Sequence, residues 1–104
     1  MKNLWLDDER KKPEGFDLHA RSAEEAIELL KNGNITHISF DHDLGEGKSG
    51  YDVACWIEEQ AFLGTLPRLT WKIHTANPPG RDYIFWAMRQ AEKWWKQLEG
   101  PVSL

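Results

Sequence analysis

Apolar residues come in short runs along this chain, and three of the runs end in charged or polar clusters. Asn3-Leu4-Trp5-Leu6 stops at Asp7-Asp8-Glu9-Arg10, Ile35 to Phe40 stops at Asp41-His42-Asp43, and Leu69 to Ile73 stops at His74-Thr75-Ala76-Asn77. Short apolar runs bounded by turn formers read as strands. In the third run Leu69, Trp71 and Ile73 alternate with Thr70 and Lys72, the period of a pleated strand. A weaker strand is predicted over Phe16 to Arg21, after the turn-forming Lys11-Lys12-Pro13-Glu14-Gly15.

Between these runs the spacing becomes helical. Ser22-Ala23-Glu24-Glu25 has the form of a capping box, and Ala23, Ala26, Ile27 and Leu30 make one apolar stripe. Gly33 suits the left-handed position that closes such a helix. Tyr51 to Phe62 is predicted as a second helix with Val53, Ala54, Ile57 and Ala61 toward the sheet. Pro78-Pro79-Gly80 blocks the fourth strand and opens a last helix with the stripe Ile84, Met88, Ala91, Trp95 and Leu98, ended by Gly100-Pro101. The order β-β-α-β-α-β-α implies an α/β fold with a mostly parallel, four-stranded sheet, covering helices and right-handed crossovers. Ligands of open α/β sheets bind at the C-terminal ends of the strands. If the three runs are neighbouring parallel strands, their clusters meet in one pocket there.

Composition narrows the partners. The 104 residues fit a single domain over 1–104, and 40% hydrophobic content suffices for one core. A net charge of −4 and a pI near 5.5 argue against bulk binding of duplex nucleic acid. No apolar run approaches the roughly 20 residues needed to span a membrane, and the N-terminus does not read as a signal peptide. The single cysteine, Cys55, excludes an internal disulfide and a cysteine-based zinc site. The expected location is cytoplasmic. Most of the six Trp should be core, because Trp supplies large buried area to a small domain.

The clusters carry the candidate chemistry. Asp7 and Asp8, joined by Asp41, offer hard oxygen ligands suited to Mg²⁺ or Mn²⁺; the plain alternative is a solvated acidic turn. In Asp41-His42-Asp43 the carboxylates and imidazole could bind metal, take a proton or attack phosphorus. Continued strand geometry would put Asp41 and Asp43 on one face and turn His42 away, where it could orient a ligand instead. His74 is a natural general acid or base, since imidazole titrates near neutrality, though a strand-end His is often purely structural. Thr75 and Asn77 could donate hydrogen bonds to phosphate, with turn formation the alternative for Asn77. Arg10 and Lys48 could neutralise phosphate charge, Lys48 from a glycine-rich loop that lacks the P-loop spacing. His19 and His37 are assigned no chemistry, and Cys55 reads as a small buried residue. Phe85, Trp86 and Trp94 leave the main stripe of the last helix; exposed, they could form a homodimer face or stack on a base, and the alternative, extended burial of a wide helix face, is the reading taken for Trp94 while Trp86 stays open.

These residues resemble a receiver domain of the response-regulator type. Leu4-Trp5-Leu6-Asp7-Asp8 resembles its first strand and metal-binding acid pair, Ile38-Ser39-Phe40-Asp41 its phosphoacceptor strand, Gly50-Tyr51-Asp52-Val53 its third helix, and Thr75-Ala76 the small hydroxyl residue after its fourth strand. That resemblance implies a flavodoxin-like three-layer sandwich. The chain departs from it in having no first helix and no fifth strand ending in lysine, and in carrying His42 and His74. The full set Asp7-Asp8-Glu9-Arg10, Asp41-His42-Asp43-Leu44-Gly45 and His74-Thr75-Ala76-Asn77-Pro78 is similar to the cyclic-phosphate-processing receiver-like domains of bacteria and phages. The resemblance implies a metal-dependent phosphoesterase acting on a cyclic phosphate, a nucleotide or an RNA end. Asp7, Asp8 and Asp41 would hold the cation, with Asp41, His42, Asp43 and His74 as catalytic groups. Its rivals are a non-catalytic switch that binds a phosphoryl group or a partner, and a protein that sequesters a cyclic nucleotide uncleaved.

Overall fold

The computed structural model describes residues 1–99, so the predicted stop at Gly100-Pro101 lies outside the described residues. The elements run β1 (Lys2–Leu6), β2 (Leu18–Ala20), α1 (Ala23–Asn32), β3 (Ile35–Phe40), α2 (Gly50–Leu63), β4 (Thr70–Ile73) and α3 (Pro78–Leu98). This is the predicted order. The second strand shrinks to three residues: at one end Phe16 packs its ring against Trp5, and at the other the Arg21 amide donates to the Glu25 carboxylate.

Local chemistry sets the boundaries. Ser22 caps α1 by accepting from the Glu25 amide at 3.1 Å, while the Glu25 carboxylate reaches past the cap to the Arg21 amide at 2.8 Å. Gly33, at φ 88°, closes that helix. Ser49 and Asp52 form a full capping box on α2. Pro78 and Pro79 occupy the first turn of α3, where a missing N–H goes unnoticed, and Asn77 caps it by accepting from the Gly80 amide at 3.1 Å.

The four strands form one sheet in the order β2-β1-β3-β4, every pair parallel. Both helical crossovers step the same way across it, from β2 past β1 to β3 and from β3 to β4, so right-handed connections put their helices on one face. α2 accordingly packs against both α1 and α3. The core lies between that helical layer and Leu4, Leu6, Ile38 and Phe40 of the central strands, all fully buried.

The flavodoxin-like topology therefore stands with two layers instead of the expected three. No helix of the described residues covers the second face, and its side chains explain why. Alternation places Asn3, Trp5, His37, Ser39, Thr70 and Lys72 there, a polar and aromatic set in place of an aliphatic one. No helix among the described residues is long and apolar enough to cross a membrane. Trp95 is buried and Trp94 half-buried, whereas Trp86 projects outward from α3. Cys55 is half-buried, not fully buried as its type suggests.

Candidate active site at the sheet edge

The strand register brings the predicted clusters together. Leu6, Phe40 and Ile73 form the last paired row of the three adjacent strands. The next residues are Asp7, Asp41 and His74, and their amides continue the ladder: Asp41 donates to the Leu6 carbonyl at 2.9 Å and His74 to the Phe40 carbonyl at 2.8 Å. The three thus stand in one row at the C-terminal edge, with a donor atom from each lying within 4.8 Å of the others.

Asp7 is the most enclosed of them, its side chain wholly buried. Its Oδ1 accepts from the amides of Glu9 and Arg10, both at 2.8 Å, and so folds the turn that follows β1. Its Oδ2 lies 3.0 Å from His74 Nε2 and 3.8 Å from the Arg10 guanidinium. Burial pushes the Asp7 carboxyl up, but the two amides and the His74 ring outweigh it, and the net shift is below the ordinary aspartate value.

His74 is held on three sides. Nε2 meets Asp7, Nδ1 lies 2.8 Å from Ser39 Oγ, and the ring stacks on Trp5 at 3.8 Å between centroids. Burial lowers its pKa more than the Asp7 carboxylate raises it. The neutral ring satisfies both partners when Nε2–H donates to Asp7 and Nδ1 accepts from the Ser39 hydroxyl. No lone pair is then left for a substrate proton. His74 thus holds Asp7 in place through its Nε2 contact.

A cleft of about 340 Å³ opens beside this row, lined by Asp8, Glu9, Arg10, Asp41, Asp43, Gly45, Thr75 and Ala76. Four carboxylates face one guanidinium. Arg10 is partly tied down by donating to the His74 carbonyl at 2.8 Å. Thr75 Oγ accepts from the Asn77 amide at 3.2 Å, which leaves its own O–H to donate. Asp43, 67% exposed, takes His42 Nδ1 at 3.0 Å and the Asn77 side-chain amide at 3.4 Å. The His42 hydrogen bond holds its carboxyl below the ordinary value, with a smaller contribution from Asn77.

Besides Asp7 and His74, three sequence candidates stand outside the cleft wall. His42 turns to the helical side and packs on Gly80 so closely that a Cβ at Gly80 would overlap its ring. Asn77 spends its carbonyl on capping α3, the turn chemistry that is the alternative to phosphate binding. Lys48 is exposed on the loop before α2 and lines no part of the cleft. Conversely, three contributors carry no assignment from the sequence. Trp5 and Ser39 lie two residues before Asp7 and Asp41, on the same face by alternation, so strand parity is the signal that could have found them. His19 Nε2 lies 2.8 Å from the Asp7 carbonyl oxygen, so it touches the site although its sequence position lies away from the clusters.

The donor set fits a hard divalent cation. Two groups of ligands share Asp41: the row Asp7, Asp41 and His74, and the cleft carboxylates Asp8 and Asp41. The row is the tighter, but His74 could ligate only by releasing Asp7, and three hydrogen bonds already occupy the Asp7 carboxylate. Asp8 and Asp41 are the carboxylates with capacity to spare, and Asp7 has one lone pair left.

Residues 2–90 match the family described as the cyclic-phosphate processing receiver domain. The chain belongs to that family. No curated protein and no solved structure matches it. The family is associated with cyclic-phosphate processing, and the parallel sheet with an acidic C-terminal edge is the receiver architecture. Within this receiver domain the match runs from β1 into α3 and takes in every residue of the edge row and the cleft.

Proposed function

We propose that this domain is a metal-dependent phosphoesterase that opens a cyclic phosphate in the cleft beside Asp41. The observation that carries the proposal is the convergence of Asp8, Asp41 and Asp43 with Arg10 and Thr75 around one small polar cleft, in a family associated with cyclic-phosphate processing. Asp8 and Asp41 would hold Mg²⁺ or Mn²⁺, with Asp7 behind them. A cation there would offset phosphoryl charge and ease deprotonation of water.

The remaining roles belong to the chain. Arg10 and the Thr75 hydroxyl hydrogen-bond the phosphoryl oxygens. Asp43, kept ionised by His42 and Asn77, accepts a proton from the attacking water. The water oxygen forms a new bond to phosphorus, one ring ester bond breaks, and the departing oxygen takes up a proton. His74, Ser39 and Trp5 hold Asp7 and, through the Arg10 contact, the guanidinium.

The test is product formation from a panel of cyclic nucleotides and cyclic-phosphate RNA ends, with and without Mg²⁺ or Mn²⁺. Metal-dependent ring opening supports the reading, and no turnover alongside intact metal binding overturns it. One observation favours the rival switch that binds a phosphoryl group without cleaving it: no imidazole lines the cleft. Saturable binding of phosphate or a cyclic nucleotide without product would establish that rival.

A further inference from the structure

The uncovered face of the sheet is a groove that runs into the edge row. It has a volume of about 810 Å³ and is lined by Asn3, Trp5, Thr36, His37, Ser39, Thr70, Lys72, Ile73 and His74, with the Glu14-Gly15-Phe16 turn along one side. Its floor is built in register. Asn3, His37 and Thr70 form one cross-strand row, and Trp5, Ser39 and Lys72 the next. Asp7, Asp41 and His74 complete the series at the edge, about 13 Å from the first row at the usual rise per residue. His74 belongs to both the groove and the edge row.

The composition of this floor decides what it can accept. A parallel sheet is ordinarily covered on both faces, and a face meant for a helix is aliphatic. This one presents the Lys72 ammonium, the half-buried His37 and Phe16 rings, hydroxyls and an amide, with one carboxylate, Glu14, at its rim. Among the described residues no carboxylate pairs with Lys72, which lies close enough to His37 to lower its pKa, after burial. Phe16 sits against both Trp5 and His37, at 5.2 and 5.9 Å. A sheet face that combines partly exposed ring surface at Phe16 and His37 with a cation and hydrogen-bonding groups suits single-stranded RNA, whose bases stack while a phosphate meets the cation.

We propose that this groove binds the nucleotides preceding a terminal cyclic phosphate, so that the substrate is an RNA 3′ end and not a free cyclic mononucleotide. The identity of the terminal group rests on the phosphoesterase reading above. The binding of the preceding nucleotides rests on the groove itself. Lys72 meets a backbone phosphate, Phe16 and His37 offer ring surface to a base, and the strands lead the 3′ end to the cleft.

The test is fluorescence anisotropy with a 5′-labelled four-nucleotide RNA ending in a 3′-phosphate, a ligand that cannot turn over, against competing mononucleotide 3′-phosphate. The oligonucleotide is expected to bind at least about tenfold tighter, and Phe16→Ala to remove most of that gain, the size of one stacked base. Lys72→Ala should flatten the dependence of log Kd on log salt by about 0.7, one phosphate contact in single strands. Lys96→Ala on α3 serves as a control. Equal affinity for the two ligands, or wild-type binding by folded Phe16→Ala and Lys72→Ala proteins, overturns the proposal. So does a concentration-dependent dimer that closes the groove. Turnover of cyclic mononucleotides with no gain from added nucleotides sinks this proposal alone. Groove-dependent RNA binding with no turnover of any cyclic phosphate sinks the esterase reading alone.

Discussion

The His74 ring lies flat on the Trp5 indole, with centroids 3.8 Å apart and planes 4° apart. Together with Ser39 on Nδ1 and Asp7 on Nε2, this contact fixes both the ring plane and the tautomer. Trp5→Phe should keep a stacking surface and most activity. Trp5→Leu should lower kcat at least about tenfold by loosening the ring that holds Asp7, with KM less affected, in the manner of a lost positioning contact. Ser39→Ala should cost about 0.5–1.5 kcal/mol, one net hydrogen bond. Ring ¹⁵N shifts of His74 provide the check: an Nε2–H tautomer in the wild type, and tautomer exchange in Ser39→Ala.

Adjacent Asp7 and Asp8 should behave in opposite ways. Asp7→Ala leaves two amides and His74 without their acceptor in a buried place, and a loss of about 3–5 kcal/mol is expected. Asp8→Ala removes a cleft carboxylate that closes no hydrogen bond among the described residues, and should change metal-free stability by less than about 0.5 kcal/mol. Cation binding reverses the emphasis. Added Mg²⁺ should raise the unfolding free energy of the wild type by about 2.7 kcal/mol at a hundredfold excess over Kd, and Asp8→Ala should lose most of that gain. Chemical denaturation with EDTA and with Mg²⁺ measures both effects.

Stability in EDTA should fall in two acid steps. His74 has a folded pKa below its ordinary 6.5, so the unfolded chain binds the extra proton first. Its stabilising contribution is complete above 6.5 and is lost as pH falls from there through the folded value. Asp7 has a folded pKa below 3.8, so its contribution is present above 3.8 and is lost as pH falls through the lower folded value. His74→Gln should shrink the first step to the part due to His37, whose pKa is also lowered by burial and Lys72, and leave the second. Urea melts between pH 7.5 and 3 would show it, and an unchanged first step in His74→Gln would assign that titration elsewhere.

Two glycines hold the site by absence. A Cβ on Gly50 would overlap the Asp41 carbonyl, and one on Gly80 would overlap the His42 ring. Gly50→Ala and Gly80→Ala should each cost about 1–3 kcal/mol from overpacking. Gly50→Ala should also displace Asp41, because the obstacle is main chain and cannot rotate away. Activity should therefore fall further in Gly50→Ala than in Gly80→Ala, measured at a temperature where both remain folded.

The elements and the edge row are legible in the sequence because both follow from short-range rules. Strand period, helix caps and charged strand ends mark out Asp7, Asp41 and His74, and the sheet register joins them. The number of layers is less legible, since a family resemblance supplies the expected third layer while the polar alternation of Asn3, Trp5, His37 and Ser39 argues against it. Roles within the site are least legible. His74 and Thr75 are chain neighbours, yet one is enclosed by Trp5, Ser39 and Asp7 while the other opens on the cleft. That difference depends on the turn Asp7 folds and on the ring beneath His74, both of them tertiary contacts. His19 escapes a sequence reading for a related reason: β2 is brief, and only its pairing with β1 brings it to the Asp7 carbonyl.

The phosphoesterase reading stands or falls on the fate of an RNA 2′,3′-cyclic phosphate end, followed by ³¹P NMR with wild-type protein, with Asp41→Asn and with EDTA. Wild type with Mg²⁺ or Mn²⁺ is expected to convert the cyclic signal to a phosphomonoester. Conversion should be at least about a hundredfold slower in the other two samples, as for loss of a metal or a charged transition-state contact. A cyclic signal that persists with folded, metal-bound wild-type protein, or that is lost equally fast with Asp41→Asn, would contradict it.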